Sequence, residues 1–219
     1  MTKNINKIKE YMKTNFLERE EVIDGLLAAI IAKENVLLIG PPGTAKSNLI
    51  MELVKCITDT SYFQWLLTKY TVPEEVFGAL SLKELEQGIY KRNTSGKLPE
   101  ANIAFLDEIF KASSAILNAL LTIINEGLFY NNGLPMKCPL MTVIGASNEY
   151  AEEEESLDAL DDRFILRYEV GYVKDSNNFL KILQDGIKAA NPPQIDIYDI
   201  VSLQQQAEKV KVETQLLET

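Results

Sequence analysis

The run Asn35-Val36-Leu37-Leu38-Ile39-Gly40-Pro41-Pro42-Gly43-Thr44-Ala45-Lys46-Ser47-Asn48-Leu49-Ile50 constrains the fold more than any other stretch of the chain. A short apolar run enters a loop rich in Gly and Pro, and a Lys-Ser pair follows. Apolar residues then recur at helical spacing through Leu49, Ile50, Leu53 and Val54. The pattern predicts a buried strand, an anion-binding loop and a helix. Gly40 and Gly43 are expected to let backbone N–H groups turn around an anion with no Cβ in the way. The helix opening at Lys46 adds unpaired N–H groups and the positive end of its dipole. Lys46 is then placed to reach β- and γ-phosphates and the Ser47 hydroxyl to ligate Mg²⁺, with Pro41, Pro42, Thr44, Ala45 and Asn48 completing the cradle. The general pattern G-x-x-x-x-G-K-[ST] has Gly where this chain has Ala45. A methyl group is tolerable there if the residue already has the negative φ of a helix start.

A phosphate loop alone binds, whereas hydrolysis needs further groups. Ile103-Ala104-Phe105-Leu106 is a second short apolar run, closed by Asp107-Glu108. Parallel strands place functional groups at their carboxyl ends, next to the loop after the first strand. Asp107 would hold Mg²⁺ opposite Ser47, and Glu108 would polarise an attacking water as general base. Met141-Thr142-Val143-Ile144-Gly145-Ala146-Ser147-Asn148 reads as a further strand whose terminal amide could orient that water, with Ser147 a nearby polar alternative. Arg163, one of four arginines with Arg19, Arg92 and Arg167, stands among acids. It would form a local ion pair with Asp158 or Asp162, or act as an arginine finger on a neighbouring subunit's γ-phosphate.

Composition narrows the chemistry. Histidine is absent and only Cys56 and Cys138 are present, which removes imidazole bases, Ser-His and Cys-His nucleophile pairs, and four-ligand Cys/His zinc sites. Two cysteines suggest no disulfide framework and fit a reduced compartment. No apolar run approaches the ~20 residues of a membrane span and the N-terminus lacks the apolar segment of a signal peptide, so a cytoplasmic location is expected. The net charge of −10 argues against general attraction to nucleic acid or an anionic membrane.

Along the chain, helical spacing predicts helices over 3–15, Glu20–Lys33, Lys46 to about Thr58, and Ser113–Glu126. Strands are expected at Val36–Ile39, Tyr62–Leu67, Ile103–Leu106, Met141–Asn148 and Ile165–Val170, and Asn131-Asn132-Gly133 marks a hairpin. Strands alternating with helices imply an α/β fold, a parallel sheet with helices on both faces. The stretch from Thr68 to Glu100 is irregular. Pro73 suits an early helix position and Asn93-Thr94-Ser95-Gly96 a turn. Glu152–Glu155 is expected to be a solvated loop. After Tyr172 the pattern is helical only, interrupted at Asn191-Pro192-Pro193 and resuming from Asp199. The organisation expected is an α/β core with N-terminal helices over residues 1–172, then a linker and the start of an incomplete helical lid over 173–219.

The motifs Gly40-Pro41-Pro42-Gly43-Thr44-Ala45-Lys46-Ser47, Leu98-Pro99-Glu100-Ala101, Phe105-Leu106-Asp107-Glu108-Ile109-Phe110-Lys111-Ala112, Leu117-Asn118-Ala119-Leu120-Leu121, Ala146-Ser147-Asn148-Glu149 and Leu160-Asp161-Asp162-Arg163-Phe164, in this order, resemble MoxR-type AAA+ ATPases, most closely the RavA-like branch. Ala45 fits this family's own form of the loop. The resemblance implies a P-loop NTPase core of three αβα layers that binds ATP and Mg²⁺ and assembles into a ring, usually a hexamer, with ATP between subunits. Lys46 and Ser47 then belong to the P-loop, Asp107 and Glu108 to the metal and base motif. Asn148 becomes the first sensor and Arg163 the finger reaching into the adjacent site. The Asn131–Gly133 hairpin would face the ring pore, and the insert between Thr68 and Gly96 would contact partners or substrate. The family's lid carries a second sensor arginine, and no arginine follows Arg167. The expected function is a chaperone-like ATPase acting on protein clients. A nucleotide-binding assembly module with little turnover is the alternative, and a nucleic-acid motor is disfavoured by the acidic balance.

Overall fold

The computed structural model describes residues 2–149, 155–185 and 191–210. Two helices, α1 (Thr2–Asn15) and α2 (Glu20–Ala32), precede strand β1 (Val36–Ile39) and helix α3 (Lys46–Lys55). A two-residue strand β2 (Ile57–Thr58) leads to β3 (Tyr62–Leu66), the insert helices α4 (Pro73–Phe77) and α5 (Leu82–Leu85), and β4 (Ile103–Asp107). Helix α6 (Ser114–Glu126) is followed by the hairpin β5 (Leu128–Asn131) and β6 (Leu134–Lys137), then β7 (Thr142–Ser147), α7 (Glu155–Asp161) and β8 (Leu166–Glu169). Helix α8 (Ser176–Asp185), a two-residue β9 (Ile195–Asp196) and α9 (Ile197–Ala207) close the described chain.

Five parallel strands form the central sheet in the order β3-β4-β7-β1-β8. Side chains alternate across a strand, so Val36 and Leu38 enter one core with α1, α2, α3 and α9, while Leu37 and Ile39 enter another with α4, α6 and α7. Burial on both faces explains why the inner strands β1, β4 and β7 read as near-continuous apolar runs, whereas the edge strands β3 and β8 carry exposed polar positions. The fold is a three-layer α/β core with a parallel sheet between two layers of helices, as the alternation of strands and helices in the sequence implies. The hairpin turn also forms where expected, with Asn132 at φ 54° and Gly133 at φ 73°, the paired positive φ values of a type I′ turn.

Two local expectations fail. The predicted α3 stops at Lys55 instead of about Thr58, because Ile57 and Thr58 pair in parallel with Ile195 and Asp196. The tail therefore contains a strand-led unit. Ile195, Ile197 and Ile200 are buried in the core of α1 and α2, and the buried Gln204 donates Nε2–H to the Ile30 carbonyl at 2.8 Å.

Candidate functional site

Every candidate polar group except Arg163 gathers at the carboxyl edge of the sheet. The register sets Ile39 beside Ser147, so the loop after β1 and the Asn148 amide after β7 emerge next to each other. Asp107 and Glu108 emerge from β4, the other neighbour of β7. This is the edge at which a parallel sheet presents its ligand crevice.

The loop differs in two ways from its sequence expectation. Gly40 does not turn its N–H inward, because that group donates to the Ser147 carbonyl at 3.0 Å and belongs to the sheet. Gly is required there by close approach, since a Cβ would stand 2.1 Å from the Val170 carbonyl oxygen. Ala45 adopts φ 64° and ψ 23°, a left-handed conformation, not the negative φ expected of a helix start. The physical reason is the reversal of chain direction between Gly43, at φ 79°, and the first helical residue Lys46. The methyl group is tolerated because Ala45 is exposed, although the backbone carries strain.

Lys46 is buried and donates to the carbonyls of Gly40 and Pro41, the latter at 3.1 Å, and to Asn148 Oδ1 at 3.2 Å. Burial lowers its pKa, and the carboxylates of Asp107 and Glu108 oppose that shift. The other side of the Asn148 amide donates to Glu108 Oε1. Lys111 pairs with Glu108 Oε2 at 3.2 Å. A continuous polar chain thus runs Lys46, Asn148, Glu108, Lys111. Ser47 Oγ donates to Asp107 Oδ2 at 3.4 Å, which sets two hard oxygen donors, the kind a Mg²⁺ ion takes, facing each other. They suit an ion that takes one or two protein ligands and completes its shell with phosphate and water.

These residues line a cavity of about 370 Å³ formed by Pro42–Asn48 with Asp107, Glu108 and Asn148. A second cavity, about 550 Å³ and largely apolar, shares Gly43, Thr44, Ala45 and Asn48 with it. Its walls are Asn15, Phe16, Leu17 and Arg19 from the α1–α2 junction, Tyr172 and Val173 after β8, and Phe179 and Ile182 of α8. Sequence reasoning missed this half, because its lining comes from three distant segments with no motif of their own. The nearest signal is the apolar face of α8. A larger groove of about 610 Å³ beside edge strand β3 contains no phosphate-binding loop, so size does not mark the site.

Arg163 lies elsewhere. Its carbonyl accepts from Asn35 Nδ2 at 3.3 Å, immediately before β1, so it sits at the opposite end of the strand from the phosphate loop. A four-residue strand separates them, about 13 Å at the usual rise. The local ion pair with Asp158 or Asp162 is not formed, and it is Arg167 that pairs with Asp161, at 2.9 Å. The side chain of Arg163 is exposed. Glu152–Glu154 lie outside the described residues.

The hairpin and the insert are joined. Arg92 N–H donates to Asn131 Oδ1 at 2.7 Å and Asn131 Nδ2 donates back to the Arg92 carbonyl at 3.0 Å. Tyr90 N–H donates to Asn132 Oδ1 at 3.1 Å.

The family model for the MoxR domain of the MoxR-vWA-beta-propeller ternary systems (bpMoxR) matches residues 3–210. The chain belongs to the MoxR family of AAA+ ATPases. An uncharacterized protein of Methanocaldococcus jannaschii is 43% identical over 210 residues, covering 95% of this chain and 55% of that protein. The chaperone MoxR1 of Mycobacterium tuberculosis is 25% identical over 186 residues, covering 84% of this MoxR chain and 48% of the relative. The chain spans about half the length of the curated relatives it matches. A proposed ATPase of Cytophaga hutchinsonii, solved by crystallography, shares the fold with a TM-score of 0.74 at 20% identity over 98% of this chain and 67% of that one. Among the described residues, no helix is long and apolar enough to cross a membrane.

Proposed function

We propose that this MoxR chain is the ATP-hydrolysing core of a ring-forming, chaperone-like machine that remodels protein clients. The observation that carries the reading is the convergence of Lys46, the Ser47–Asp107 pair and the Asn148–Glu108 pair on one polar cavity. The triphosphate fits this polar cavity and the base the neighbouring apolar one, which shares Gly43–Ala45 and Asn48 with it. Ser47 and Asp107 would hold Mg²⁺, which when bound offsets phosphate charge.

Glu108 accepts a proton from water as the water oxygen bonds to the γ-phosphorus. The bond from that phosphorus to the β,γ-bridging oxygen breaks, and its electron pair leaves with ADP. Lys46 follows the charge on the γ-phosphate, and Asn148 holds the Glu108 carboxylate and the water in register. Arg163, too far from its own loop, serves the site of the next subunit, for which a hexameric ring is the expected assembly. The family's association with vWA and β-propeller proteins makes these the first partner classes to test. The cytoplasm is the expected compartment.

Mg²⁺-dependent ATP hydrolysis should disappear in Glu108→Gln while ATP binding survives, measured by phosphate release and by titration with a fluorescent ATP analogue. Tight binding without turnover in the unmodified chain would overturn hydrolysis in favour of a nucleotide-dependent assembly module.

A further inference from the structure

Glu108 is held in an unusual way for the last residue of a strand-end motif. Its φ of 53° is left-handed, and its N–H donates to Asp107 Oδ1 at 3.0 Å, so the main chain turns sharply before the carboxylate. Ile109–Lys111 then form one 3₁₀ turn, closed by Lys111 N–H to the Glu108 carbonyl at 2.9 Å and anchored by the fully buried Ile109. That turn brings the Lys111 ammonium to Glu108 Oε2 at 3.2 Å, while Asn148 occupies Oε1.

We infer that Lys111 is a positioning residue for hydrolysis: with Asn148 it fixes the Glu108 carboxylate at two points and aims its remaining lone pairs into the phosphate cavity. The inference rests on Glu108 being the general base. A carboxylate has about four lone-pair directions, so one contact on each oxygen still leaves sites for water. With Asn148 alone the group can rotate about its own axis. The ion pair is half in solvent, with the Lys111 side chain 53% and Glu108 12% exposed, an arrangement that adds little to stability. Its effect is therefore expected in orientation. Lys111 does not line the phosphate cavity, so substrate affinity should be independent of it.

Steady-state ATP hydrolysis is measured on the full chain and on Lys111→Met, Lys111→Arg, Glu108→Gln and the Glu108→Gln/Lys111→Met double variant, with thermal midpoints for each. Lys111→Met should lower kcat on the order of 10- to 100-fold, the cost of a misaligned reacting group, with KM for ATP within about twofold and the midpoint unchanged. Lys111→Arg should recover most of the loss. In the Glu108→Gln background, Lys111→Met should leave any residual rate, and ATP affinity, unchanged, because Lys111 acts through Glu108. Normal or raised kcat in Lys111→Met, or a loss that appears in KM, overturns this inference alone if Glu108→Gln is inactive. A wild-type chain without turnover overturns the hydrolytic reading, and this inference with it.

Discussion

Ala45→Gly should make the protein more stable, against the usual rule that glycine weakens a helix start. Ala45 is held at φ 64° and ψ 23° immediately before Lys46, where an L-residue with a Cβ bears about 1–2 kcal/mol of steric cost. Glycine removes that cost but adds about 0.4–1 kcal/mol of unfolded-chain entropy to be lost on folding. Ala45 is exposed, so no buried methyl contact is given up. The net expectation is a gain of about 0.5–1 kcal/mol, or roughly 2 °C in Tm for a chain of this length. Urea unfolding without nucleotide, followed by far-UV circular dichroism and by the fluorescence of Trp65, measures it directly. An unchanged m-value with a higher midpoint supports the strain. A midpoint lowered by an equivalent amount would refute it, since the left-handed backbone would then cost the alanine nothing.

Gly40→Ala should do the reverse. The new Cβ would meet the Val170 carbonyl oxygen at 2.1 Å, so β1 and β8 must part at their carboxyl ends, with a loss of about 2 kcal/mol or more in urea unfolding and weakened ATP binding. Cys56 and Cys138 are both buried, which pushes their thiols up to about 11 from an ordinary 9.0. The native protein should resist an aromatic disulfide reagent at neutral pH and release both thiols on unfolding. Because the raised pKa belongs to the folded state, this contribution to stability is complete below pH 9 and is lost as pH rises from about 9 to about 11, which pH-dependent urea midpoints would detect.

The sequence carried the parts of the site that local patterns encode. Lys46, Ser47, Asp107, Glu108 and Asn148 each end or begin an element whose period is visible, and parallel topology then brings them to one edge. What it did not carry depends on long-range geometry or on a dihedral sign. The φ of Ala45 is set by how the loop must reverse, which composition cannot express. The β2–β9 pairing joins two-residue segments more than a hundred positions apart, too short to show alternation. The apolar cavity beside the loop is assembled from Phe16, Tyr172 and Phe179, which come from three separate segments with no shared motif. Lys111 lay within a recognised motif, but its partner is revealed only by the 3₁₀ turn after β4.

The start of α8 is tied to the junction between α1 and α2. Glu18 accepts the backbone N–H groups of Lys174 and Asp175 at 2.8 and 3.0 Å ahead of α8, and Ile195 N–H donates to the Cys56 carbonyl at 2.8 Å after it. Asn178 Nδ2 adds a third bond, to Glu18 Oε1 at 3.1 Å, so the first turn of α8 is held against the α1–α2 junction. Phe179 and Ile182, in the wall of the apolar cavity beside Gly43–Ala45, are thereby positioned from outside the central sheet. Loss of the Glu18 carboxylate would therefore loosen that wall while leaving every strand of the central sheet paired.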